Sequence, residues 1–194
     1  GTNDYLSRSS DMTGNADGKT FTFSCWFYYV GDTLYLYQAS DGTAFKVDLT
    51  VNNSERLSIN LRDSSGNTIL GTYNTSSPGP VPENTYSHVL IAVDTATQSF
   101  SVYMNDVVVT GWTTTWLSTN DIDFTQTDHD VATYPTGSDK SKGRLAHLFL
   151  DYTYRDLSVT ANRRLFIDAE GKPSETIPSN PILYLPMTDA ATAG

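Results

Sequence analysis

Residues that could do chemistry are scattered along this 194-residue chain. Its four glutamates are Glu55, Glu83, Glu170 and Glu175, and none has an acidic neighbour at alternate spacing in a strand context. Retaining glycoside hydrolysis needs two carboxylates about 5 Å apart, and that pattern is missing. Asp121 and Asp123 share a face if their segment is extended, as do Asp128 and Asp130, with His129 opposite. No apolar strand surrounds either pair to raise a carboxyl pKa, so neither reads as an acid/base couple. Ser87 and His88 are adjacent but mid-strand, without a Gly-x-Ser-x-Gly elbow. His88 therefore reads as a core or sheet residue, and His129 as solvated. Phosphate-binding loops, dinucleotide fingerprints and Cys/His zinc spacings do not occur. The chain reads as a non-enzyme, with no catalytic residue assigned.

Binding chemistry is better represented. Calcium is the one ion the residue types suit, because it takes six to eight oxygens from Asp, Asn and backbone carbonyls on loops. One candidate set is Asn120, Asp121 and Asp123, and another is Asp11, Asn15 and Asp17. The competing reading of both is a hydrated acidic loop or an Asx-capped turn. No other cofactor is expected. A sugar-binding or interface surface would use flat aromatics beside hydrogen-bonding neighbours. Trp112, Trp116 and Tyr134 lie in or beside loops rich in Thr, Asn and Asp, and Tyr154 lies in the aromatic stretch Asp151–Arg155. The competing reading is packing onto a sheet, cover for a sheet edge, or burial against a second copy.

The elements that would hold these residues are strands. From Thr20 to Val30, Phe21, Phe23, Cys25 and Phe27 fall on one side, and Thr22, Ser24, Trp26 and Tyr28 on the other. That stripe belongs inside a two-layer sheet protein. Asp4 to Ser7 reads as a short first strand. Alternation recurs at Leu34–Ala39, Phe45–Val51, Leu57–Leu61 and Thr68–Tyr73, with turn signals at Gly31-Asp32, Asp41-Gly42 and Gly66-Asn67. Positions 74–84 hold Pro78, Gly79, Pro80 and Pro82 and read as a loop. Tyr86 to Val93 is apolar on both faces and reads as a central strand. Phe100–Met104 and Val107–Thr110 flank the Asn105-Asp106 turn. Thr110 to Asp123 is the least regular region, Phe124 to Tyr134 reads as extended but polar, and 135–142 reads as a loop. Leu145 to Leu150 is strongly apolar. The one helix signal is Val159–Ile167, with Ser158 as cap, Gly171 as stop, and Arg163 and Arg164 on it. Pro178 and Pro181 bound a last strand, Ile182–Pro186.

The fold class is thus all-β: a sandwich of two antiparallel sheets with one short C-terminal helix, read as a single domain over 1–194. A chain of this size buries roughly 70% of its unfolded surface and can stand on its core alone. Cys25 is the single cysteine and sits on the apolar face, so it reads as an inert buried thiol. The net charge of −10 argues against nucleic acid, since phosphate binding needs clustered Lys and Arg. The apolar runs are strand length, so no membrane insertion is expected. The chain opens at Gly1 without Met, consistent with a fragment or processed form.

Several segments resemble a known family. Gly1-Thr2-Asn3-Asp4-Tyr5-Leu6 resembles the opening of laminin-G-like domains of the concanavalin-A-like lectin/glucanase superfamily. Phe21 to Phe27 is similar to that family's F-T-I-S-x-W-V strand, Tyr86 to Asp94 to its W-H-H-V-A-V-x-x-D strand, and Ser101 to Val107 to its L-Y-V-N-G-V turn. Gly143 to Leu148 is similar to its G-x-L-A-E-L, and Asp156 to Pro173 to a segment of bacteriophage versions of the domain. The resemblance covers nearly the whole chain. Asp106 stands where the family has a turn Gly, Tyr86 where it has Trp, and His147 where it has an acidic residue.

The resemblance implies a jelly roll and recognition of carbohydrate or protein. The family's glucanases carry E-x-D-x-x-E, which this chain lacks. The phage versions imply a virion part, such as a tail fibre, head fibre or decoration. Other virion proteins, a cell-surface glycan and further copies of the chain would be its partners, with many weak sites acting together. The alternative is a carbohydrate-binding module of a secreted or cell-surface bacterial protein.

Overall fold

Among the described residues there are thirteen strands, most of them foreshadowed by the alternation, and one turn of helix. The computed structural model describes residues 5–42, 44–76, 79–134 and 140–186. Positions 1–4 of the opening motif, Pro78 and positions 135–139 of the Gly/Ser-rich loop lie outside them. The strands are β1 (Leu6–Arg8), β2 (Thr20–Tyr29), β3 (Leu34–Ser40), β4 (Phe45–Val51), β5 (Leu57–Arg62), β6 (Thr68–Asn74), β7 (Tyr86–Asp94), β8 (Ser99–Met104), β9 (Val107–Val108), β10 (Trp112–Trp116), β11 (Asp128–Val131), β12 (Gly143–Asp151) and β13 (Leu183–Leu185). They form a seven-stranded sheet ordered β1-β11-β3-β4-β5-β6-β10 and a six-stranded sheet ordered β13-β12-β2-β7-β8-β9. All pairings are antiparallel. The irregular stretch after Thr110 supplies β10, an edge strand that the sequence reading left unassigned.

The main core lies between the sheets. Phe21, Phe23, Cys25 and Phe27 of β2 meet Leu49, Val51, Leu57, Ile59 and Leu61 of the opposite sheet, all fully sealed from solvent. Burial pushes the Cys25 thiol pKa far up, so it stays protonated. A second apolar layer explains why β2 and β7 are buried on both faces. Leu157, Leu165 and Phe166, downstream of β12, pack on Leu90, Ala92 and Phe149, on the outer side of the six-stranded sheet. Arg155 makes two 2.7 Å bonds to Asp151 and lies over the rings of Phe149 and Phe166.

The helix is shorter than the Val159–Ile167 pattern predicts. Only α1 (Thr160–Arg163) is helical, with Val159 at its N-cap and no side-chain cap bond. The Ser158 hydroxyl donates to Asp156 instead of capping. The chain turns after Arg163, places Phe166 on the sheet and bridges Ile167 to Pro173. Burying those two apolar residues takes precedence over one more helical turn.

Two family departures find their reasons here. Asp106 sits at φ 66°, which Asp tolerates better than most residues. Its carboxylate accepts from Arg163 and, at 2.7 Å, from Arg164. Asp106 therefore pins the C-terminal layer to the β8–β9 turn, and the arginine pair works through this contact. His147 occupies the β12 bulge between Ala146 and Phe149 at φ 48°, with Nδ1 3.3 Å from the Tyr184 hydroxyl.

Burial corrects three electrostatic expectations. His129 is not solvated: its Nδ1 lies 2.9 Å from the Tyr37 hydroxyl, its Nε2 is 3.4 Å from Asp11, and burial lowers its pKa. Asp123 and Asp130 are likewise buried, and desolvation raises both carboxyl pKa values. His88 is confirmed as a core residue, and burial lowers its pKa to about 3, so it is neutral.

The two Asp106–Arg contacts outweigh the positive φ. Asp106→Gly, which relieves the backbone, should still lower the thermal midpoint by a few degrees. A midpoint raised by that substitution would mean that strain dominates the turn. Asp130 carries the opposite sign. A raised folded-state pKa penalises the charged form once the pH exceeds the unfolded value of 3.8. Asp130→Asn should therefore stabilise at neutral pH by about 1 kcal/mol, or about 2–4 °C. The gain should vanish below the ordinary carboxyl pKa, as melts across the acid range would show. Thiol reagents should modify Cys25 only at the rate of global unfolding.

Candidate functional site

With the six-stranded sheet overlaid, the outer face of the seven-stranded sheet is the place to look for a ligand. Alternation sends Val47, Leu49 and Val51 inward and Lys46, Asp48 and Thr50 outward. The registers then align two polar rows across the strands. One row runs Asp130, Gln38, Asp48, Asn60, Gly71, Thr115. The next runs Tyr35, Thr50, Ser58, Tyr73, Thr113.

Hydrogen bonds lock the first row. Asp48 Oδ1 accepts from Gln38 Nε2 at 2.7 Å and from the Thr50 hydroxyl, while Asp48 Oδ2 accepts from Asn60 Nδ2 at 3.0 Å. Asn60 Nδ2 also reaches Ser58 Oγ at 3.1 Å. Beyond Gln38 the row goes under cover: Gln38 and Asp130 are each 1% exposed. Gly71 has no side chain above the sheet, and a Cβ there would meet Asn60 Oδ1 at 3.7 Å. Its absence keeps the Asn60 amide open beside the Asp48 carboxylate.

Aromatic rings flank this floor. The ring of Tyr134 meets Tyr35 edge-on at 5.6 Å, and Tyr73 stands 46% exposed three strands away. Three strand spacings amount to ~14 Å, long enough for an oligosaccharide or an extended peptide. The arrangement can accept hydrogen bonds and stack flat rings.

The aromatics singled out from the sequence are not gathered at one place. Tyr134 is 38% exposed at the Tyr35 end of the floor. Trp112 and Trp116 share the inward register of Asn74 and Leu70 and pack against the main core. Both rings meet Phe100, at 5.3 and 6.4 Å, and the Trp112 indole N–H donates to Val109 O. Tyr154 lies beyond β12, 37% exposed. Tyr73, Asp48, Asn60 and Gln38 were missed, although their outward alternation on β4, β5 and β6 was a usable signal.

The calcium candidates are engaged with protein donors. Asn120 donates to Asp63 Oδ2 at 2.8 Å, Asp121 pairs with Lys19 at 3.0 Å, and Asp123 is buried beside Thr125. Asn15 donates to Asp11 at 2.5 Å, and Asp17 Oδ1 accepts from the Phe124 and Thr125 backbones. Among the described residues, no group of three or more His, Cys, Asp or Glu side chains is placed to hold a metal ion.

A serine–histidine contact does exist, but between strands. His88 Nε2 lies 2.8 Å from Ser24 Oγ, while Ser87 faces the opposite way. The His88 ring lies tilted against Trp26 at 5.0 Å, and its Nδ1 has no hydrogen-bond partner. Among the described residues no carboxylate bonds this imidazole, so the pair there lacks a triad's third member.

Comparisons with known proteins agree with this architecture. A structure from Bacteroides ovatus, described as a candidate carbohydrate binder, aligns with TM-score 0.64 at 13% identity over 94% of this chain and 49% of its own. The native heptameric SAP-like pentraxin of Limulus polyphemus aligns with TM-score 0.59 at 11% identity over 93% and 84%. The CBM40 of the Ruminococcus gnavus IT-sialidase, bound to α2,3 sialyllactose, aligns with TM-score 0.53 at 10% identity over 79% and 95%. At these identities the likeness is one of fold. The chain spans about half of the Bacteroides protein. Comparison with curated protein sequences gives no match. The profile of the concanavalin A-like lectin/glucanases superfamily, in its laminin-G form, matches residues 1–121, more than half of the chain. On that match, and on two sheets stacked as described, the chain belongs to the concanavalin A-like lectin/glucanases superfamily.

Proposed function

We propose that this chain is a non-catalytic glycan-binding domain whose ligand lies across the outer face of the seven-stranded sheet. The observation that carries the reading is the locked row Gln38–Asp48–Asn60, open above Gly71 and flanked by the rings of Tyr35, Tyr134 and Tyr73. Preset acceptors and flat rings are what sugar hydroxyls and C–H faces require, and a rigid floor costs little ordering on binding. Its fold neighbours include a sialidase's carbohydrate-binding module. The non-catalytic part rests on the carboxyls of the row: Asp130 is buried, which leaves Asp48 without an exposed partner there. Residues of the C-terminal third belong to the same unit in this reading, because β11 pairs with β3 and β12 with β2.

The finer placement, in a bacteriophage virion, rests on the resemblance of Asp156 to Pro173 alone. Secreted or surface-attached modules would use the same face. In either setting, repeated copies would convert weak single sites into firm attachment.

A glycan array followed by calorimetry on the strongest ligand tests the site. Asn60→Ala and Tyr73→Ala should each weaken binding on the order of tenfold while leaving the thermal midpoint nearly unchanged. Trp116→Ala should do the reverse, costing about 2–4 kcal/mol of stability through lost core packing. Binding that survives both floor substitutions would move the site elsewhere, and a chain that binds no glycan would end the reading.

A further inference from the structure

The charges on this face discriminate between classes of sugar. Recognition of a carboxylate calls for a guanidinium fork or an ammonium group free to point at it. Of the cations around this sheet, Lys46, Arg56 and Arg8 are bonded to oxygens of the chain, and Arg62 and Lys140 lie against rings. Lys46 is 7% exposed, with Nζ 3.5 Å from Asp41. The Arg62 guanidinium lies 4.4 Å above the Phe45 ring, and Lys140 Nζ lies 5.0 Å from the Tyr5 ring. Arg56 Nε donates to Ser76 O at 3.3 Å, and Arg8 to Ser10 and Asp11.

The row itself is oriented toward acceptance. The Gln38 amide, itself buried, donates one N–H to Asp48. Asn60 likewise spends its N–H on Asp48 and Ser58. The amide donors of Gln38 and Asn60 are drawn to Asp48, so beside the hydroxyls of Tyr73 and Thr115 the only charged group among the described residues on this part of the floor is the Asp48 carboxylate. Asp128, opposite Ser40, adds a further negative charge.

We propose that this face accepts uncharged, hydroxyl-rich glycans and rejects those carrying carboxylates, sialylated chains above all. The inference rests on the glycan-binding reading and refines it. It separates this chain from the sialyllactose-bound module that shares its fold. A ligand hydroxyl can donate to Asn60 Oδ1 and add to the donors already on Asp48 without bringing a charge. A ligand carboxylate meets Asp48 at close range and gains no counter-charge among the described residues of the floor.

Matched pairs on one array decide the matter: lactose against sialyllactose, and neutral glucose oligomers against their uronic-acid counterparts. At low salt the neutral member should bind about tenfold more tightly. Raising ionic strength toward 1 M, where the screening length falls to about 3 Å, should narrow the gap. Asp48→Asn should narrow it as well. Sialylated or uronic members that bind as well as their neutral partners would overturn the proposal and leave the glycan-binding reading standing. A preference unmoved by both salt and Asp48→Asn would also overturn it, since the exclusion would then be steric. Absence of binding to every glycan would remove both.

Discussion

Everything in this molecule depends on sealing the six-stranded sheet on both sides. Phe21, Phe23, Cys25 and Phe27 close one face against the opposite sheet, and Leu157, Leu165 and Phe166 close the other. Apolar burial of this kind is non-directional and proportional to area, so it needs only stripes that match in extent. The second layer has consequences beyond stability. It turns a sandwich with two outer faces into one with a single open sheet face, and it hides Ser24 and His88 where solvent and substrate cannot reach.

Polar contacts hold the second layer in place where apolar contacts alone would let it slide. Asp106 reaches two arginines from a turn whose backbone would otherwise favour glycine, and Arg155 clamps Asp151 while covering two aromatic rings. Such bonds are directional and fix register. The substitution of Asp for the family's turn glycine thus adds a tether at modest backbone cost. Arg163 also lies 4.6 Å from the Tyr103 ring, so its charge and its flat face are both used.

The open face gains its character from the same economy of donors. Asp48 takes two donors from neighbouring strands and one from Thr50 on its own, which makes the floor rigid around a carboxylate. Rigidity lowers the entropic cost of binding, and on the proposed reading the carboxylate there favours partners that bring hydroxyls rather than charge. Gly71 is the one position on the row where a missing side chain creates room, and it sits between Asn60 and Thr115.

By itself, the sequence determined most of the strands, the sandwich and the inert Cys25, because a period of two records which residues share a face of one strand; the edge strand β10 was not among them. It also placed His88 in the core. It could not show that His88 meets Ser24 rather than Ser87, that Trp112 and Trp116 turn inward on an edge strand, or that His129 and Asp130 lose their water. Those facts depend on which distant strands pair and on what covers each face. The row from Asp130 to Thr115 draws on six strands separated by up to 92 positions between Gln38 and Asp130, and only their hydrogen-bonded register brings it into line. The helix reading failed for the same reason, since Phe166 and Ile167 follow the sheet they cover rather than the local 3.6-residue period.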